Sequence, residues 1–262
     1  MESKNLKVTR EGGLVRLQLD RAEQANSLDI ETCRELMHAA IDIDEDPSAR
    51  AVLITAAGKM FCSGGDLASF ASSGDRMPAL LKEMTVYLHA ALTRFNRMNA
   101  PVVAAVGGVA AGAGLSLACA CDLVVAADSA RFTMAYTRAG LTPDGSSTYF
   151  LPRIVGKRKA LELMLTNRML TAQEAEAWGI VNRVVPEDEL ESEAMALATQ
   201  LAAGPTLAYG ACKDLVLRSD AESLESQMEH ESRAIAAAAH TEDAKEGIAA
   251  FFEKRAATFK GA

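Results

Sequence analysis

The 262-residue sequence predicts an α/β fold with a helical C-terminal portion. Three observations carry that expectation. Apolar strands alternate with amphipathic helices through the first half, two glycine-bearing turns each follow a strand, and from about Lys157 the pattern becomes helical. Val15, Leu17 and Leu19 alternate with Arg16 and Gln18, which marks a half-buried strand. A polar turn over 22–26 leads through Leu28 into a helix over 29 to about 42. Residues 50–55 form a short apolar strand, followed by a glycine-containing loop over 56–66. A long amphipathic helix over 77–98 precedes a strand over 102–106. A helix over 112–120 and strands over 122–126 and 131–134 come next. Strand, helix and strand in repeated order imply crossover units and a largely parallel core.

Beyond Lys157 the periodicity predicts helices over 157–165, 171–178, 187–203, 206–218, 221–239 and 241–255. Thr171-Ala-Gln-Glu174 is a capping-box pattern, in which the threonine oxygen accepts a backbone N–H and the glutamate reaches back. No internal repeat or long low-complexity linker interrupts the chain. Residues 1–200 read as an α/β core and 201–262 as a helical C-terminal region, not as two independent domains.

Composition narrows the function. The chain is 49% hydrophobic but only 5% aromatic, and its 27 Lys and Arg against 35 Asp and Glu give a net charge of -8. A nucleic-acid binder needs a basic footprint and stacking aromatics, so that class is excluded. A global sum does not exclude an anionic ligand, since a pocket needs only local basic groups. The five cysteines are odd in number, with Cys119 and Cys121 two apart and no partner pair, so free thiols in a reducing cytoplasm are expected. The polar segment 1–11 lacks the apolar core of a secretory signal. Residues 98–121 are 24 uncharged positions, but 12 are Ala or Gly, which favours a buried strand, turn and helix over a membrane span.

Two segments can carry chemistry. Met60-Phe61-Cys62-Ser63-Gly64-Gly65-Asp66-Leu67 and the run from Gly107 to Gly114 each follow a strand. Small residues at a strand-to-helix turn let a ligand approach the main chain, and a helix start offers unpaired N–H groups. Two such turns in one parallel sheet can aim two amides at one carbonyl oxygen. A dinucleotide fingerprint fails because Leu117 stands at the third glycine position, and Ser63 lies outside a Gly-x-Ser-x-Gly elbow. Asp144, in Pro143-Asp144-Gly145, taken alone is an ordinary turn residue. His89 on the long helix reads as structural, and His38, His230 and His240 show no metal-ligand spacing, so no metal site is expected.

In this order and spacing the elements resemble the enoyl-CoA hydratase/isomerase (crotonase) superfamily. Residues 61–67 look like its first oxyanion-hole segment, and 108–118 followed by Cys121-Asp122-Leu123 look like its second. Leu151-Pro152-Arg153, Glu174-Ala175 with Trp178-Gly179, and Phe252-Glu-Lys-Arg255 extend the match over nearly the whole chain. The resemblance implies a crotonase-like spiral of ββα units with a helical C-terminal trimerisation region, assembled as a homotrimer or hexamer. It implies an acyl-CoA substrate, with coenzyme A part of that substrate and no separate cofactor, membrane or nucleic-acid partner. The thioester oxygen would accept from the backbone amides of Gly65 and Ala113, with Ser63, Asp66, Leu67, Tyr136 and His89 as substrate-binding candidates. Ala68, Phe70 and Ala71 are candidate pocket residues. Lys254, Arg255 and Lys260 are candidates for the CoA phosphates, with solvated surface charge as the alternative.

Hydratases of the superfamily use two glutamates, and the matching positions here are Ser116 and Tyr136, neither a carboxylate. Asp144 instead matches an aspartate of the ring-epoxide phenylacetyl-CoA and Δ3,Δ2-enoyl-CoA isomerases. The resemblance therefore implies an isomerase with Asp144 as acid/base. Hydratase, haloaryl-CoA dehalogenase and non-catalytic acyl-CoA binding remain alternatives. In the dehalogenases the same aspartate is a nucleophile, and His89 falls at a functional histidine, but Tyr136 replaces their tryptophan.

Overall fold

The computed structural model describes residues 3–262, which leaves the first two residues of the polar 1–11 segment outside it. Nine strands are found among the described residues: β1 (Leu6–Glu11), β2 (Leu14–Leu19), β3 (Ala51–Ala56), β4 (Val102–Val106), β5 (Val109–Ala111), β6 (Leu123–Ala127), β7 (Arg131–Thr133), β8 (Leu170–Thr171) and β9 (Arg183–Val185). Six form one sheet in the order β1-β2-β3-β4-β6-β9, and β5-β7-β8 form a smaller one. Among the described residues only β1–β2 and β7–β8 pair antiparallel. From β2 to β9 the large sheet is parallel, as the repeated strand–helix–strand pattern implied.

The first strand escapes the alternation rule because Leu6 is its one buried residue, the others being half-buried or exposed. Its signal is the turn: Glu11 pairs with Leu14 across Gly12 and Gly13, whose φ values of 53° and 85° make a two-residue hairpin that glycine adopts without steric cost. Strands β3 and β4 are apolar but for Thr55 because both of their faces are covered. One face, with Val52, Ile54, Val102 and Ala104, packs with Leu36 and Ala40 of α1 (Ile30–Asp44). The helix α2 (Leu67–Ser72) leads to α3 (Met77–Arg97), whose Leu88, Leu92 and Phe95 complete that layer.

The 98–121 run divides into β4, β5 and α4 (Ala113–Ala120), an eight-residue helix that is buried on every side. No helix among the described residues is long and apolar enough to cross a membrane. Next come α5 (Ser147–Val155), α6 (Lys157–Thr166) and α7 (Ala172–Ala177). The expected helix over 187–203 begins as a 3-10 turn and continues as α8 (Leu190–Ala202). Its Ala194, Ala198 and Ala202 repeat every four residues, one stripe of small side chains that seats the helix on Leu53, Val103 and Val125 of the opposite sheet face. The chain ends in α9 (Thr206–Ser219), α10 (Leu224–Ala238) and α11 (Glu242–Glu253).

Candidate active site

The first glycine segment is tied to the second by main-chain pairing. Cys62 N donates to Val109 O at 3.1 Å and Ala111 N donates to Cys62 O at 2.9 Å, a parallel bridge that sets the loop after β3 against β5. Past this bridge, Leu28 N donates to Gly64 O at 2.8 Å and Asp66 N donates to Leu28 O at 2.9 Å. Those bonds leave the intervening Gly65 amide without a protein acceptor among the described residues. The Ala113 amide is equally unpaired, being the first N–H of α4. Gly114 allows the two segments to touch: a side-chain carbon there would lie 2.4 Å from Cys62 O. No other residue permits that approach.

Gly65 and Ala113 both line an apolar cavity of about 300 Å³. Leu28, Phe70, Met84, Leu88 and Leu141 supply much of its wall, with Ser63 and Leu67 also on the lining. Asp144 and Tyr136 line it as well, and Asp144 is the one carboxylate among the described lining residues. The Tyr136 hydroxyl donates to Asp144 Oδ1 at 2.6 Å. Burial first, and then the neighbouring Asp144 carboxylate, push the Tyr136 phenol well above its ordinary range, which keeps it a protonated donor. Oδ2 of Asp144 receives no hydrogen bond among the described residues. The Asp144 carbonyl oxygen accepts from Ser147 Oγ at 2.8 Å, which anchors the loop, and Ser116 Oγ lies 3.1 Å from it.

Two residues expected as substrate contacts, Asp66 and His89, do not line the cavity. Asp66 is turned inward: it caps α2 by accepting from Ser69 N at 3.0 Å and is bound by Ser27 Oγ and Arg21 Nη2, each at 3.2 Å. Burial works against the charge, but the Ser69 amide, Arg21 and Ser27 together hold the Asp66 carboxyl below the usual carboxylate range. A lowered folded-state value contributes stability above the unfolded carboxylate range, and that contribution is lost as pH falls through the folded value. Asp66→Asn is therefore expected to cost roughly 1–3 kcal/mol near neutral pH. The deficit should shrink on acidification in parallel urea titrations, and a pH-independent difference would count against this assignment.

His89 likewise does not line the cavity. Its Nε2 accepts from the Gly145 amide at 3.3 Å, so it supports the Asp144 loop from outside. Ala68 and Ala71 also stand outside the lining, because α2 turns only Leu67 and Phe70 toward it. Arg255 is engaged by Glu246 and Glu253, at 2.8 Å and 2.6 Å.

Cys33 and Lys82 line the cavity without having been singled out in the sequence. The signal available for Cys33 was its place among the buried positions of α1. Burial, with Asp29 and Asp144 adding to it, pushes its thiol up to about 12, so it is a neutral wall. What remains can bind a carbonyl oxygen through two amides and move a proton at one carboxylate beside it.

Known proteins share this frame. The chain is 35% identical over 258 residues to a 1,2-epoxyphenylacetyl-CoA isomerase of Escherichia coli (strain K12), covering 96% of each protein. It is 36% identical over 257 residues to a 4-chlorobenzoyl coenzyme A dehalogenase-2 of Arthrobacter sp, covering 95% of this chain and 91% of that one. The crystal structure of an enoyl-CoA hydratase from Polaromonas sp. JS666 superposes with a TM-score of 0.93 at 34% identity, over 97% of this chain and 99% of that one. Residues 9–262 match the sequence profile described as Enoyl-CoA hydratase/isomerase. With the paired glycine segments, the two free amides and this full-length similarity in agreement, the chain belongs to the enoyl-CoA hydratase/isomerase family.

Proposed function

We propose that the protein is an isomerase of unsaturated or ring-epoxide acyl-CoA thioesters, with Asp144 as its single acid/base. The observation that carries this reading is the lone carboxylate: Asp144 shares the cavity with the Gly65 and Ala113 amides, and no second carboxylate lines it among the described residues. Hydration by a pair of carboxylates has no counterpart here, because Ser116 and Tyr136 stand at the matching positions. The similarity to a 1,2-epoxyphenylacetyl-CoA isomerase supports the same reading. The similarity to a dehalogenase carries less weight, since His89 stays outside the cavity lining.

For a 3-enoyl thioester, Asp144 removes a proton from the α-carbon and the C–H electron pair moves into the thioester system, forming a dienolate. The two amides donate to the enolate oxygen, each contributing roughly 3–4 kcal/mol when aimed at the developing charge. Asp144 then returns the proton at the γ-carbon, leaving a 2-enoyl thioester. The reaction needs no cofactor, since coenzyme A arrives as part of the substrate. The resemblance implies a homotrimer or hexamer, and exposed Leu224, Met228 and Ile235 on α10, with Phe251 and Phe252 on α11, are apolar surface that a contact between copies would cover.

A panel of 3-enoyl-, ring-epoxide, haloaryl- and crotonyl-CoA thioesters tests the reading with the wild-type enzyme. Isomerisation is expected to outrun hydration of crotonyl-CoA and release of halide. Faster hydration, faster halide release, or tight binding with no turnover on any member would each overturn it.

A further inference from the structure

We propose that Ser116 and Tyr136 act together as positioning residues, locking the Asp144 carboxylate to the peptide unit that presents the Ala113 amide. The inference rests on the isomerase reading above and adds how base and oxyanion donor keep one fixed geometry through two proton transfers.

Tyr136 has one proton to give, and Asp144 Oδ1 at 2.6 Å is its nearest acceptor. Behind the phenol lies Ser116 Oγ, fully buried, at 2.9 Å from the Tyr136 hydroxyl. The same Oγ lies 3.1 Å from the Asp144 carbonyl oxygen and 3.2 Å from Gly112 O. Gly112 O belongs to the peptide unit whose nitrogen is Ala113 N, and it also accepts from Ser116 N at 3.0 Å. Because the phenol proton goes to Asp144, Ser116 donates to Tyr136, and a rotation that turned the Ala113 N–H away from the cavity would break the Ser116 N bond to Gly112 O and pull that oxygen off Ser116 Oγ. One small side chain therefore touches both halves of the machinery.

Steric fit points the same way. A side-chain carbon added at Gly145 would lie 3.0 Å from Ser116 Cβ, so the Asp144–Gly145 turn is packed on a residue that must stay small. A longer side chain at 116 would displace the base. The two positions at which the family's hydratases carry glutamates serve here as the support of one carboxylate. Tyr136 holds Oδ1, and Oδ2, with no protein donor among the described residues, is left to take the α-proton and return it at the γ-carbon.

Steady-state kinetics of Tyr136→Phe, Ser116→Ala and the double variant on a 3-enoyl-CoA test this. Tyr136→Phe is expected to lower kcat about 10- to 100-fold, the range for losing a hydrogen bond to a charged group, with KM within about threefold. Ser116→Ala should lower kcat about 3- to 10-fold, the range for a neutral hydrogen bond. The double variant should fall no more than about twofold below Tyr136→Phe, because both changes disable one support. A folded Tyr136→Phe with unchanged kcat, a loss confined to KM, or fully additive losses would overturn the proposal. Should Tyr136→Phe fail to fold, Ser116→Ala decides: an unchanged kcat there overturns it. Asp144→Asn separates the two levels, since full activity in that variant would sink the isomerase reading itself. A dead Asp144→Asn beside an unaffected Tyr136→Phe would sink only the positioning role.

Discussion

Asp144→Asn is expected to lower isomerase turnover by about 10³-fold at neutral pH, within the span general-base catalysis supplies, while acyl-CoA affinity changes only a few-fold. The amide has the shape of the carboxylate and its oxygen still accepts from Tyr136, whose hydroxyl lies 2.6 Å from Oδ1 in the parent. The neighbouring loop keeps its anchor, because Ser147 donates to the main-chain oxygen of residue 144 and not to its side chain. What is lost is the ability to take a proton. Burial pushes the Cys33 thiol up to about 12 and the Tyr136 phenol well above its ordinary range, so neither takes over as base. Residual activity should come from the Gly65 and Ala113 amides, which still bind the thioester oxygen. Calorimetry with a saturated acyl-CoA, run beside turnover assays, checks both halves. Turnover equal to wild type would remove Asp144 from the mechanism, and a parallel loss of binding would make its role structural.

The features legible in the sequence are those that arise locally. The capping box of Thr171 and Glu174 forms as read, with Glu174 N donating to Thr171 Oγ1 at 3.1 Å and Thr171 N donating to Glu174 Oε2 at 2.9 Å. Strand β4 falls on the expected residues, and α3 ends one residue early, since long apolar runs and clear periodicity report their own burial. Elements that exist only through distant partners stayed hidden. Strand β9 has only three residues, in the gap between two expected helices, and it forms because Val125–Ala127 offers a free parallel edge. Strand β5 lies inside the glycine–alanine run and is drawn out by β7. Helix α5 carries an internal Pro152, which masks its pattern. At the site, the amides and the aspartate were reached through resemblance, and the residues alone left Asp144 an ordinary turn. The link from Ser116 to Tyr136 to Asp144 joins positions 20 and 8 residues apart, and no spacing rule places them together. The inward turn of Asp66 was equally invisible, since it depends on Arg21 arriving from 45 residues earlier.

Lys213→Met is expected to cost about 3–5 kcal/mol of stability, the loss that follows when one partner of a buried ion pair is removed. Lys213 reaches from α9 into the core, and its side chain keeps only 10% exposure. Its Nζ pairs with Asp122 Oδ2 at 2.8 Å and donates to Phe95 O at 2.9 Å and Ala100 O at 3.0 Å. One ammonium thus joins the C-terminal helices, the end of α3 and the entry to β6. Methionine fills much of the same space but leaves the Asp122 charge and two carbonyls unanswered. Asp122 also accepts from Val102 N at 2.7 Å, yet burial outweighs both partners and holds its carboxyl above the ordinary range. The sign follows from linkage: a raised folded-state value means stability is fullest below the unfolded carboxylate range and declines as pH rises through the folded value. Removing Lys213 takes away a group that draws that value down, so the variant's deficit should be largest near neutral pH and shrink as Asp122 takes up a proton. Adding Asp122→Asn should recover much of the loss, since the buried charge is then gone while an oxygen remains for Val102 N. Guanidinium unfolding of the single and double variants at two pH values measures all three effects. A Lys213→Met protein as stable as wild type, or a double variant less stable than the single, would show that this ion pair does not fasten α9 to the core.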